Sequence, residues 1–128
     1  MGHKAIRPAS VHPTVGYSHA RRAGNTLYVS GQVPRTVDNE TVDPTDLEGQ
    51  IRQVFANLEA VLVAAGGTLD DIVKLTTYLT HRDQFATWRK VRDSRFREPY
   101  PASTLVIVDS LSYPEYLVEV DAIAVLDR

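Results

Sequence analysis

Two carboxylates stand two residues apart near the end of the chain, Glu119 and Asp121 in the run VEVDA. If that run is a strand, alternate side chains share a side, so both leave one face about 7 Å apart. Like charges that close can split their protonation and leave one group as a base. A solvated strand face presents the same pair, so the assignment needs support from elsewhere in the chain. The histidines His3, His12, His19 and His81 have no ligand-like spacing, and there is no cysteine. No metal, Fe–S cluster, disulfide or thiol nucleophile is therefore expected. Neither GxGxxG nor GxxxxGK occurs, so no nucleotide cofactor is expected either. Ser30 lies in VSGQ, not in a G-x-S-x-G elbow, and reads as a hydrogen-bonding residue at a strand end. Arg82, Arg89, Lys90, Arg92, Arg95 and Arg97 form a local basic cluster, the one feature that could meet RNA or an anionic ligand. Asp83, Asp93 and Glu98 interrupt it, and it lacks the aromatic interleaving that stacks bases.

The elements that must position these residues can be read from periodicity. YSHARRA and TLYVSGQ, joined by Gly24-Asn25, have the form of a β-hairpin on a two-residue turn. Pro34 to Pro44 reads as a surface loop. Leu47, Ile51, Val54, Phe55, Leu58, Val61, Leu62 and Ala65 recur at three- and four-residue steps and predict an amphipathic helix. Thr45 with Glu48 has the spacing of a capping box, and Gly66-Gly67 supplies a left-handed stop. DIVKLTTYLT alternates, with Val73, Leu75, Thr77 and Leu79 on one face, and predicts a strand. Asp83 can cap a second helix striped by Phe85, Trp88, Val91 and Phe96, which Pro99 and Pro101 end. STLVIVD and YLVEVDAIAV are the last two strands. The order is β-β-α-β-α-β-β, an α+β two-layer sandwich with two helices on one face of the sheet.

The chain has 128 residues, enough for one domain with a buried core, and residues 1–16 read as an extended N-terminal arm with room for a short edge strand. With 43% hydrophobic and 23% charged residues, no long disordered region is expected. A formal net charge of -2 supplies no general attraction to phosphate backbones, so nucleic acid is not the expected partner. No apolar run is long enough to span a bilayer and the start has no signal-like core, so no membrane association and a cytoplasmic location are expected. In the last strand Val118, Val120, Ala122 and Ala124 suit packing under helices. The opposite face carries Leu117, Ile123 and Val125 beside the two carboxylates, a mixture that fits an intersubunit surface better than a solvent face.

YSHARRAGNTLYVSGQVP, FANLEAVLVAAGGTLDDIVKLTTYLT and PASTLVIVDSLSYPEYLVEVDAIAV together resemble the RidA/YjgF family, from about Tyr17 to Val125. The resemblance implies a chorismate-mutase-like fold, a homotrimer, and a small-molecule cleft at each subunit interface. It also implies cofactor-free hydrolysis of reactive imines and enamines to 2-oxo acids and ammonia. Older labels for the same family are endoribonuclease and translation inhibitor.

Carried over by motif, the family's cleft tyrosine falls on Tyr17, its S-G pair on Ser30 and Gly31, and its cleft glutamate on Glu119. The arginine that grips the substrate carboxylate in P-A-R-S/T falls on Ser103, the cysteine two positions later on Leu105, and the second helix's asparagine on Arg89. A guanidinium grips a carboxylate bidentately, whereas a hydroxyl offers one neutral hydrogen bond. The chain is thus expected to hydrolyse an imine, enamine or related small molecule other than the usual 2-imino acid, with Glu119 as the base. Tyr17, Ser30, Gly31, Arg89, Ser103 and Leu105 would line the cleft. The alternatives are a non-catalytic metabolite-binding or regulatory trimer and, third, an endoribonuclease.

Overall fold

Alternation and helical periodicity translate into a single six-stranded mixed sheet carrying two helices, in a computed structural model that describes residues 3–127. The elements are β1 (His3–Ile6), β2 (Ala20–Ala23), β3 (Thr26–Gln32), α1 (Leu47–Ala64), β4 (Ile72–Leu79), α2 (Phe85–Arg95), β5 (Ala102–Ile107) and β6 (Val118–Val125). Their order across the sheet is β1-β2-β3-β6-β4-β5. Only β4 and β5 pair in parallel, with α2 as their crossover; the other neighbours are antiparallel. The predicted order gains one strand, because His3–Ile6 of the N-terminal arm pairs with β2 along the sheet edge. β2 itself begins only at Ala20.

The hairpin turn is where the sequence puts it: Ala23 faces Thr26 across Gly24-Asn25, and Gly24 takes the positive φ of 60° the turn requires. The apolar stripe of α1 is buried from Ile51 to Leu62 against Leu27, Val29, Leu75, Val120, Ala122 and Ala124. The small side chains of Ala122 and Ala124 sit on the strand between β3 and β4, under the helical layer. Trp88 and Val91 of α2 complete the core, with Phe55 edge-on to both Trp88 and Phe96.

Four local expectations are corrected. α1 is capped by Asp46, whose carboxylate accepts the Gly49 N–H, while Thr45 turns back to donate to Asp43. The shorter carboxylate one residue later meets the free N–H directly, so the Thr45/Glu48 box does not form. Val73 is 48% exposed because a bulge between Ile72 and Lys74 shifts the alternation, leaving Ile72, Leu75, Thr77 and Leu79 on the helix side. A 3₁₀ turn at Arg82–Gln84 precedes α2, and Asp83 does not cap it. Gln84 instead accepts the backbone N–H groups of Thr80 and His81, and its side chain is buried while that of Phe85 is exposed.

Leu117, Glu119, Asp121, Ile123 and Val125 are half-buried on the sheet face away from the helices, with Tyr28 beside Ile123 more than half exposed. Among the described residues, no helix is long and apolar enough to cross a membrane.

Candidate functional site

Glu119 projects from β6 opposite Tyr78, and Asp121 projects from the same face opposite Thr76. Asp121 accepts a hydrogen bond from the Tyr78 hydroxyl at 3.1 Å. The Glu119 carboxylate accepts none from any described residue, so its oxygens remain available to a substrate or water. Burial, and then the charge of Asp121, holds its pKa above the ordinary carboxylate value. Asp121 is thus held by a hydrogen bond, and Glu119 is the carboxyl whose pKa is raised.

Gly31 is what lets Glu119 lie there. The β3–β6 register breaks between Val29 and Gln32, placing Ser30 and Gly31 at the irregularity. A Cβ on Gly31 would stand 2.7 Å from the Glu119 Cδ and closer still to Oε2. Ser30 ties the preceding loop to this point, its N–H donating to the His19 carbonyl at 2.9 Å and its hydroxyl to the Ser18 carbonyl at 2.7 Å. Tyr17, 44% exposed, stands next to that clamp, and burial followed by the Glu119 charge raises its phenol pKa. Tyr17, Ser30, Gly31 and Glu119 are thus brought together.

Ser103, Leu105 and Arg89 are not part of that group. Ser103 and Leu105 pair with Leu75 and Thr77, which puts them on the helix side of the edge strand β5, whereas Glu119 is on the other face. Two strand spacings separate β5 from β6, about 10 Å. Ser103 borders a separate cavity of about 430 Å³ with Leu75, Arg92, Phe96, Tyr100 and Pro101. Arg89 is exposed on α2, and the cation of that helix in the cavity wall is Arg92, stacked over Trp88 at 4.9 Å.

Sequence reading gives no role to Arg35, Tyr113 or Tyr116, yet these line a cavity of about 310 Å³ together with His12 and Tyr17. The available signals were an arginine four residues after Gly31 and two tyrosines just before β6. His12 is 4% exposed, stacks edge-on to His19 at 4.8 Å, and its Nδ1 has no partner. Gln32 Nε2 donates to His19 Nδ1, which leaves His19 Nε2–H to donate to the His12 carbonyl at 2.7 Å.

Burial, with His19 and Arg35 nearby, lowers the His12 pKa to about 4. An unfolded imidazole titrates near 6.5, so on acidification the unfolded chain takes up its proton first. This contribution to stability is complete above that value and is lost as the pH falls from about 6.5 to about 4. Denaturant titrations of the wild type and His12→Gln between pH 4 and 7 should diverge in slope, by on the order of 2 kcal/mol across the window. Parallel curves would refute a buried neutral His12.

Among the described residues, no group of three or more His, Asp or Glu side chains is gathered to hold a metal ion. The basic cluster is largely engaged: Lys90 pairs with Glu48, Arg92 with Asp93, Arg95 with Glu59 and Arg97 with Asp70.

Two helices on one face of a six-stranded mixed sheet, with a carboxylate of raised pKa packed on a bulged glycine on the other face, define a chorismate-mutase-like α+β fold. Comparison with known proteins places it further. The family profile described as Endoribonuclease L-PSP matches residues 7–126. A RutC family protein of Pyrococcus horikoshii is 38% identical over 112 residues, 88% of each chain. A 2-iminobutanoate/2-iminopropanoate deaminase of Dermatophagoides farinae is 30% identical over 120 residues, 94% of this chain and 93% of the relative. The crystal structure of yeast Mmf1 superposes with a TM-score of 0.93 at 32% identity, covering 98% of this chain and 99% of the other. The chain belongs to the RidA/YjgF family.

Proposed function

We propose that the protein hydrolyses a reactive imine or enamine, without a cofactor, in a cleft completed by a neighbouring copy within a homotrimer. The observation that carries the reading is the Glu119 carboxylate: raised in pKa, free of hydrogen bonds to described residues, and packed on Gly31 beside Tyr17. The relative that is an imine deaminase supports the reaction class. Glu119 accepts a proton from water as its oxygen adds to the C=N carbon and returns it to the nitrogen, giving a carbinolamine; the hydroxyl proton then moves by way of Glu119 to the same nitrogen as the C–N bond breaks and the C–O bond becomes a carbonyl, releasing ammonia. Tyr17 and the backbone N–H groups around Gly31 are placed to orient the substrate and the developing charge.

The second copy is proposed from where the residues lie. Ser103 and Leu105 are on the opposite face from Glu119 and two strands away, so if they belong to its cleft they enter it from another subunit. The half-buried Leu117, Ile123 and Val125 beside exposed Tyr28 provide the apolar area for such contact. With a serine where the family's carboxylate-gripping arginine would stand, the substrate is other than the usual 2-imino acid. An RNA substrate finds less support, because four cations of the basic cluster already face carboxylates.

Light scattering during gel filtration should give about three times the chain mass of 14.2 kDa. Imines generated enzymatically in the presence of the protein should release ammonia faster than the uncatalysed rate. A monomer at micromolar concentration would remove the shared cleft, and ligand binding without ammonia release would favour a binding role.

A further inference from the structure

The Arg35 guanidinium is fixed in place without an ion pair among the described residues, although Glu115 is near enough to act on its charge. Asn57 of α1, itself buried, donates to the Val33 and Arg35 carbonyls at 3.0 Å each and pins the backbone. Nη1 donates to the carbonyl and side-chain oxygens of Asn39 at 3.0 Å each, and Nε donates to the Tyr116 hydroxyl. The group lies over the rings of Tyr113 and Tyr116, 5.1 and 5.7 Å from their centroids. Tyr116 is held in turn by buried Gln50, which donates to the Glu115 carbonyl at 2.8 Å and accepts the Leu117 N–H at 2.9 Å. Two buried amides of α1 thus anchor an arginine and its aromatic support. No carboxylate among the described residues lies within ion-pair distance of Arg35, and its Nη2 makes no hydrogen bond to them.

Tyr17 and His12 share the cavity with this guanidinium, and the buried Nδ1 of His12 and Oγ1 of Thr14 in the same wall also lack partners. We propose that Arg35 is an anion-binding residue of the Tyr17 cleft, receiving a carboxylate that the substrate carries away from its reactive C=N carbon. This rests on reading the cleft as an imine or enamine site. The spacing follows from what borders what. Glu119 packs on Gly31 and is not in the wall of the Arg35 cavity, whereas Tyr17 is in that wall. Tyr17 accordingly feels the charges of both, whereas Glu119 responds to burial and Asp121. In a 2-imino acid the carboxylate is bonded directly to the reacting carbon, which gives it the least reach from Glu119 into the Arg35 cavity. A carboxylate two or more carbons away reaches further, and a planar guanidinium already oriented by Asn39 and Tyr116 would bind it at small entropic cost.

Carbonyl products of the two classes serve as equilibrium probes. Wild type, Arg35→Gln and Arg35→Lys are titrated with 4-oxopentanoate, its neutral amide and 2-oxopropanoate, following amide NMR shifts. The wild type should bind 4-oxopentanoate at least tenfold more tightly than the amide or 2-oxopropanoate. Arg35→Gln should abolish the preference for acid over amide, and Arg35→Lys should retain part of it. Equal binding of acid and amide by the wild type, or an undiminished preference in Arg35→Gln, overturns the proposal. Should Arg35→Gln fail to fold, an undiminished preference in Arg35→Lys overturns it equally. Ammonia release from an imine without a carboxylate tests the hydrolytic reading separately, since that substrate makes no demand on Arg35. Its absence would sink hydrolysis while leaving the acid preference to be judged on its own.

Discussion

Glu119→Gln is expected to lower kcat/KM for the proposed imine hydrolysis by about 10²-fold or more while leaving the protein folded. The amide keeps the size of the side chain and its place across Gly31, but it cannot accept a proton from water. The wild-type pH profile supplies a second readout. Glu119 must be ionised to act, and burial with Asp121 raises its pKa, so kcat/KM should fall on acidification with a midpoint above the ordinary carboxylate range. Asp121→Asn removes the neighbouring charge and should move that midpoint down. Stability carries the opposite sign. With a folded pKa above the unfolded value, Glu119 costs stability as the pH rises through the interval between the two, so Glu119→Gln should be at least as stable as the wild type at neutral pH. Turnover above a tenth of the wild-type rate, or an acid limb that survives in Glu119→Gln, would exclude Glu119 as the base.

The parts of the fold that obey a period are the parts the sequence discloses. The α1 stripe, the Gly66 stop with φ of 91° and the alternation of β6 under the helices are all local patterns, and each is met in the structure. Local patterns fail where one residue breaks the period or competes for a partner. The bulge beside Val73 turns that side chain outward, and Asp46 takes the N–H that a Thr45/Glu48 box would leave to the threonine. The candidate site divides along the same line. Glu119 and Asp121 share a face because strands alternate, and the VSGQ run marks Gly31. Arg35 is invisible to such reading, since the contacts that fix it come from Asn57, 22 residues on, and Tyr116, 81 residues on. The separation of Ser103 from Glu119 likewise depends on β5 pairing in parallel with β4, a long-range choice that spacing along the chain does not report.

Gly31→Ala is expected to cost about 10²-fold in kcat through the position of Glu119, with little change in thermal stability. The backbone at Gly31 does not occupy the left-handed region, so alanine meets no conformational penalty there and slightly restricts the unfolded chain. Its methyl group, however, would stand 2.7 Å from the Glu119 Cδ and 3.0 Å from Cγ, far inside contact distance. The side chain can rotate away, which spares the fold and moves the carboxylate. Gly66 is the counterpart: its φ of 91° makes alanine strained, while nothing lies within 4 Å of the added atom. Gly66→Ala should therefore lower stability by about 1 kcal/mol and leave kcat alone. A displaced Glu119 carboxylate would also be better hydrated, so the acid limb of kcat/KM in Gly31→Ala should move down toward the ordinary carboxylate value. That shift distinguishes a moved base from a merely loosened domain. If Gly31→Ala keeps more than a third of the wild-type kcat and its acid limb stays in place, close packing of Glu119 on Gly31 is not what sets its reactivity. The base would then owe its raised pKa to burial by groups other than Gly31 and to the charge of Asp121 instead.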